Sequence, residues 1–403
     1  MLKLPEKGLD LSFLINPFYL FPFSFTFSIL MYFLGWSNLY PALPGSLLIF
    51  FTISFTLFIL AGKKEIINFD VTHEKVVLDM RKKYVFDNLI FIVIMSLGLI
   101  NILKMGYLPI LASNHDYRDF GIPIIDPLFN TLSIFFAVFF FQSYLQCRKR
   151  RLLAYVILII IFQLLIFRRS SAIWISMSMI FIYIINHKRI SYAVLISLFL
   201  LIPVISYCFG LYGNKRSNLS KEYVLNDLGA SDSFINTGLD DNHYMTYLYV
   251  TSPLANLNAN LLQGEGLFNK KEYEKFIFYC LVPYSITLRV ENVMNISPPQ
   301  TYLIHPHLIV GTFLMEGFYT MGWFGMSAMI IYLFLYISVC NLIIKRFCIL
   351  RSTAVSLLCT TVSLLIFSNF LNRLDVILLL FVYPVLFHLL YDRYAKCKPS
   401  AIW

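Results

Sequence analysis

Ten apolar runs recur along this chain, near residues 12–34, 45–62, 88–105, 127–146, 152–167, 172–186, 191–211, 321–344, 353–370 and 375–391. Most are long enough for one helical crossing of a hydrocarbon layer roughly 30 Å thick. Backbone in such a layer must satisfy its own hydrogen bonds, which a helix does within each run. The strict alternation of a transmembrane barrel is absent. Only 13% of the 403 residues are charged and 59% are hydrophobic, whereas soluble domains carry roughly 25% charged residues. The expected fold is an all-α polytopic membrane protein of ten helices, twelve at most, with the lipid bilayer as its surroundings.

The formal charge of +10 does not point to nucleic acid, because the basic residues cluster in short connections between apolar runs. CRKRR at 147–151, HKR at 187–189 and IKRF at 344–347 agree on one orientation. With the N-terminus inside, 20 of the 32 Lys and Arg fall on the cytoplasmic side, and both termini are cytoplasmic. The first apolar run has no small-residue cleavage site and reads as a retained span. The one long uninterrupted segment, 211–324, is then extracytoplasmic. The chain divides along its length into a bundle of about seven helices (1–211), an external loop with short interfacial helices (212–320) and a bundle of about three helices with a cytoplasmic tail (321–403).

The loop reads in three parts. Residues 213–243 are polar, with room for one short helix. Residues 244–262 are an amphipathic helical stretch broken at Pro253. Residues 276–288 are a run of 13 apolar-rich residues, too short to span, expected at the membrane interface.

Several residues carry chemistry. Arg168 and Arg169, in IFRRSSAIW, sit against the orientation signal, as do Arg118 and Arg373, and Arg289 lies in the long segment. Planar bidentate donors suit phosphate oxygens, while snorkelling side chains that anchor a span are the plainer explanation. His305 and His307 flank Pro306 in YLIHPHLIV. An imidazole titrating near neutrality suits general-base chemistry, although a hydrogen-bonded structural histidine fits equally well. Glu316 stands just before a span, about two and a half helical turns beyond His307 if the intervening chain is helical, where it could orient a base, pair with an arginine or remain a solvated carboxylate. Tyr249 and Tyr302 have the character of interfacial or sugar-contacting residues. The seven cysteines form no CxxC pair, the two histidines do not project from one helical face, and no nucleotide-binding loop is present. No metal and no cofactor is expected.

The plan of spans, the long loop in the second half, the outward-placed arginines, YLYVTSPLANLN (247–258) and TYLIHPHLIVGTFLMEGFYTMGWFG (301–325) together resemble bacterial oligosaccharide repeat-unit polymerases of the O-antigen polymerase (Wzy) type. The resemblance covers most of the chain as architecture, but as motif only residues 244–325 and the arginine sites. It implies a GT-C-like, metal-independent glycosyltransferase of the bacterial inner membrane with a periplasmic loop. Its substrate would be an undecaprenyl-diphosphate-linked oligosaccharide, and its product O-antigen or a related surface polysaccharide. It leaves a chain-length regulator and a flippase open as protein partners. By the resemblance, Arg168 and Arg169 match the periplasmic arginine site, His305 or His307 matches the histidine that related ligases keep before a helix, and Glu316 stands away from the usual acidic position, which Tyr319, Thr320 and Met321 fill. An O-antigen ligase and a lipid-linked oligosaccharide flippase are the rival readings. The flippase is the poorer fit, because flippases expose short loops and line a cavity with charges inside the spans.

Overall fold

In the computed structural model, residues 8–63, 80–111, 119–187, 189–217, 219–263, 272–299, 301–347 and 350–396 are described. About 78% of the chain is helical, so the all-α class holds. The one exception among these residues is a pair of three-residue strands, β1 (Gly8–Asp10) and β2 (Arg189–Ser191), which are antiparallel with Gly8 opposite Ser191. The strands were not expected. Gly8 permits them, since a Cβ there would collide with the Ile190 carbonyl.

The N-terminal helices are α1 (Pro17–Tyr32), α2 (Gly45–Lys63), α3 (Met80–Met105), α4 (Ile125–Cys147), α5 (Arg150–Leu165), α6 (Arg169–His187) and α7 (Tyr192–Ser217). α1 starts where Asn16 accepts from the Phe18 N–H at 3.0 Å and Pro17 takes the first helical position, the pairing expected of a helix N-terminus. α4 ends on Arg148 in the left-handed conformation, the first basic residue of the CRKRR cluster. The central segment carries α8 (Lys221–Asn226), α9 (Asp232–Ile235), α10 (Asp241–Gln263), α11 (Tyr273–Phe276) and α12 (Tyr284–Met294). The C-terminal helices are α13 (Met315–Phe347), α14 (Arg351–Leu364), α15 (Leu374–Ile377) and α16 (Tyr383–Lys396), with a π-helical turn joining the last two.

Each of the ten apolar runs falls on a helix. Six of the described helices are long and apolar enough to cross a membrane: α2, α3 from Val85, α4, α6, α7 to Lys215, and α13 to Arg346. α1, α5 and α14 are shorter, at 16, 16 and 14 residues. These are the helices of a membrane-embedded protein.

The chain forms two compact units that interleave in sequence. The first comprises 1–67, 189–337 and 361–374, and the second 68–188, 338–360 and 375–403. In the first, α10 packs along α7 and α1, and α1 along α2. Gly210 lets α7 approach α10 so closely that a Cβ would fall on the Asn242 carbonyl. In the second, α4 is central, packed by α3, α5 and α6.

Three details of the long segment differ from the sequence reading. Residues 213–243 hold two short helices, capped by Ser220 on the Tyr223 N–H and Ser231 on the Phe234 N–H. α10 runs through Pro253 unbroken. Hydroxyls reach carbonyls on the turn before the proline, Val250 from Ser28 at 2.8 Å and Tyr247 from Thr251 at 2.7 Å. Residues 276–288 are not one run. A π-helical turn at Ile277–Leu281 stops at Val282–Pro283, and α12 begins beyond. Pro283 has no N–H to give the Tyr279 carbonyl four residues back. Asn372 gives one instead at 2.6 Å, and Asn369 donates to the next carbonyl, Cys280, at 2.9 Å.

Candidate functional site

The His-Pro-His segment is held by one helix of the first unit. On α10, Asn256 and Asn260 are one turn apart and buried, in a run that is otherwise mostly apolar. A buried amide must find partners, and these find the backbone of residues 302–310. Asn256 Nδ2 donates to the Leu308 carbonyl at 2.6 Å and the Val310 carbonyl at 2.8 Å, while its Oδ1 accepts from the Ile304 N–H at 2.9 Å. Asn260 exchanges two bonds with Tyr302, giving to its carbonyl at 2.8 Å and taking from its N–H at 2.9 Å. A single amide therefore ties the residue before His305 to the residue after His307.

Between these ties the chain makes a tight turn, closed by the Leu308 N–H on the His305 carbonyl at 2.9 Å. Pro306 occupies the second position, where its fixed φ is already that of the turn. Leu308 anchors the far side in a core with Val224, Leu228, Tyr244 and Tyr247. The two imidazoles stand nearly parallel with centroids 5.5 Å apart, and Tyr223 of α8 meets both edge-on, at 6.2 Å from His305 and 5.5 Å from His307. His305 is half-buried and His307 exposed. Burial holds the His305 pKa below its ordinary value, the neighbouring His307 acts in the same direction, and Asp227 acts against both. The Tyr302 side chain is 52% exposed beside this turn. Tyr249, half-buried on α10, packs edge-on against Phe209 at 5.2 Å.

The other first-unit candidates gather about the π-helical turn at Ile277–Leu281. Glu316 is expected just before a span, about two and a half helical turns beyond His307 only if the chain between them is helical. It lies instead in the first turn of α13, after a stretch from 309 to 314 that is not helical. It is not a solvated carboxylate. Asn369 and Cys280 adjoin it, and Glu316 Oε2 and Asn369 Oδ1 are each buried without a hydrogen-bond partner. α13 then kinks at Met321 and Gly322, where Gly322 takes φ 58° and ψ −143°, a region open essentially to glycine. The kink brings the Gly325 backbone against Gly317, leaving no room for a Cβ on Gly325. Arg373 follows Asn372, exposed, with its guanidinium 5.2 Å from the Phe370 ring centre. Arg289 is exposed on α12. On the same helix Glu291 accepts from the Tyr279 hydroxyl at 2.8 Å, and burial together with that carboxylate keeps the phenol protonated well above its ordinary range.

Arg168 and Arg169 belong to the second unit. Arg168 is ion-paired with Asp126 of α4 and donates as well to the Asp126 carbonyl. Asn101 Nδ2 donates to the same carboxylate at 3.4 Å. An anionic ligand of Arg168 has to share it with Asp126. The backbone here is unusual: Phe167 has φ 58° and Ile124 φ 75°, and a β-branched residue in the left-handed region carries real strain. Arg169, at the start of α6, is half-buried. Arg118 lies outside the described residues.

Comparison with protein-family models, curated proteins and solved structures returned no match.

Among the described residues no cluster of three or more His, Cys, Asp or Glu could hold a metal ion. The chemistry within reach is proton transfer and hydrogen bonding at the His305–His307 turn, and charge stabilisation by exposed guanidinium groups. The sequence reading missed Asn256, Asn260, Asn369, Asn372 and Asp126. A signal for the first two was present in LANLNANLL, where three asparagines two apart interrupt an apolar helix.

Proposed function

We propose that this chain polymerises undecaprenyl-diphosphate-linked oligosaccharide repeat units into O-antigen or a related surface polysaccharide, at the periplasmic face of a bacterial inner membrane. The observation that carries the reading is the His305–Leu308 turn. A protein with no expected nucleotide or metal chemistry holds two imidazoles at a fixed place on its long non-spanning segment and leaves one of them exposed. A GT-C-like fold of ten spans, with the segment between α7 and α13 outside, supplies the remaining frame of the reading.

In this mechanism His307 takes the proton of the acceptor sugar hydroxyl. The hydroxyl oxygen attacks the anomeric carbon of the glycan on the second carrier, and the bond from that carbon to the diphosphate breaks with its electron pair leaving on the diphosphate. Arg289 and Arg373 stabilise that developing charge. The diphosphate is a good leaving group, so no further energy source is required. Glu316 belongs to the wall that shapes the π-helical turn, and Tyr302 contacts sugar. The assignment of Arg168 and Arg169 to the diphosphate rests on the sequence.

The test is expression of His307→Ala and Arg373→Ala at wild-type levels in a strain lacking the gene, with the polysaccharide resolved on a gel. The expected pattern is a single repeat unit on the lipid core with no ladder. A normal ladder from both variants sinks the proposal, and finished polymer stranded on the carrier identifies a ligase instead.

A further inference from the structure

The two histidines of the turn are not equivalent, and the hydrogen bonds decide how they differ. The backbone N–H of His307 points at Nδ1 of His305, with 3.2 Å between the nitrogens. A peptide N–H can only donate, so Nδ1 of His305 must present its lone pair. Neutral His305 then carries its proton on Nε2. In that state its outward nitrogen is a donor and has no lone pair with which to accept a proton. Neither ring nitrogen of His307 is hydrogen-bonded among the described residues, and its ring is exposed.

This contact needs a chain bent so that residue 307 folds back under ring 305. Nothing in a free His-Pro-His peptide enforces that. The chain is bent here because Asn256 gathers Ile304, Leu308 and Val310 onto one buried amide and Asn260 fixes Tyr302 behind them. All polar atoms of both amides are thereby used. Asn258, between them on α10, is equally buried but serves another loop, donating to the Pro41 carbonyl at 3.0 Å and the Ala42 carbonyl at 3.1 Å.

We infer that Asn256 and Asn260 are positioning residues that lock His305 as a hydrogen-bond donor through Nε2–H, and that His305 binds a substrate oxygen while His307 alone of the pair accepts a proton. The locking follows from the hydrogen bonds themselves. The roles toward substrate rest on the polymerase reading, so the two are measured separately.

The locking is read on full-length protein in lipid nanodiscs with [15N]histidine. The chain has seven histidines, and those of the pair are assigned by His305→Gln and His307→Gln. The expected results are a single Nε2–H tautomer for His305 and amide exchange at His307 about fivefold slower than in the His305→Gln protein, as one net hydrogen bond gives. Asn256→Asp or Asn260→Ala is expected to remove that protection, whereas Asn258→Ala keeps it. A mixture of tautomers in the wild-type protein overturns the inference, as does protection that survives in Asn260→Ala. The wild-type spectrum alone decides the tautomer should the asparagine variants not fold. The roles are read on the polysaccharide ladder. Gln keeps an N–H donor but no basic nitrogen, so His305→Gln is expected to weaken the ladder and His307→Gln to abolish it. Equal loss in both overturns the division of roles. A normal ladder from His307→Gln removes the polymerase reading, while the tautomer still stands or falls on the spectrum.

Discussion

Buried polar side chains do different work in the two units. In the first unit five asparagines bind backbone, while Asn214 of α7 joins α10 through the side chains of Asp241 and Asn242. Asn256, Asn258, Asn260, Asn369 and Asn372 give their amides to carbonyls and N–H groups of non-helical or interrupted chain. In the second unit several join helix to helix through side chains, while Asn101 accepts from the Ile122 N–H at 3.1 Å. Gln142 of α4 takes the Thr353 hydroxyl at 2.5 Å, Ser178 of α6 meets Thr360 of α14 at 2.8 Å, Asn130 of α4 takes the Ser171 hydroxyl at 2.5 Å, and Thr131 meets Tyr383 at 2.7 Å. The difference follows from where the helices stop. Interrupted backbone in an apolar surrounding keeps unpaired groups that something must satisfy, whereas intact helices need only a specific seam. Asn256 and Asn260 therefore mark a loop being built, and that loop carries the two candidate histidines.

The contrast is most exposed to test at Asn256. Asn256→Leu leaves the Ile304 N–H and two carbonyls unpaired, at a cost of about 1–3 kcal/mol for each buried group. A large drop in the thermal midpoint of the purified protein is expected, and no second side-chain change rescues it because the partners are backbone. Asp126→Asn, which leaves the Arg168 charge without its counter-ion, is expected to cost about 2 kcal/mol, between the values for exposed and fully buried pairs. A similar loss, roughly 1–3 kcal/mol, is expected for Gly322→Ala from its positive φ. Gln142→Leu is expected to cost only about 1 kcal/mol, and adding Thr353→Val should restore most of it, since replacing both partners by apolar groups is nearly neutral. If the double variant is no better than the single, the helix-seam account of the second unit is wrong. The smallest effect is a pH dependence. The folded protein lowers the His305 pKa from 6.5, so the unfolded chain binds the proton first. Stability from this group is complete above about pH 6.5 and is lost as pH falls toward the folded value. Hydrogen-exchange protection at Ile304 and Leu308, corrected for the intrinsic pH dependence of exchange, should fall on acidification below neutrality and lose that dependence in His305→Gln.

Much of the architecture is legible in the apolar runs, because a stretch that must satisfy its own backbone in lipid has few alternatives to a helix. All ten runs coincide with helices, and α13 kinks at Met321 and Gly322, where the sequence has its Gly-x-x-Gly step. The long segment is less legible. Pro253 looks like a break and is not, and Ser28, 222 residues away in sequence, donates to the Val250 carbonyl on the turn before it. Pro283 does interrupt the helix, and Asn369 and Asn372 take its place as donors. These outcomes hinge on donors distant in the chain, which no local pattern contains. The same holds for Arg168, whose charge is visible in the sequence but whose partner Asp126 is not.

The sequence by itself determined a helical membrane protein with one long non-spanning segment, because hydrophobic run length acts locally. Only the tertiary structure decided which asparagines tie the His305–Leu308 turn down, that one Glu316 oxygen is buried beside Asn369, and that His305 and His307 have different free nitrogens. Each of these depends on which donor meets which acceptor across the fold, and a buried polar group accepts whichever partner the packing brings to it.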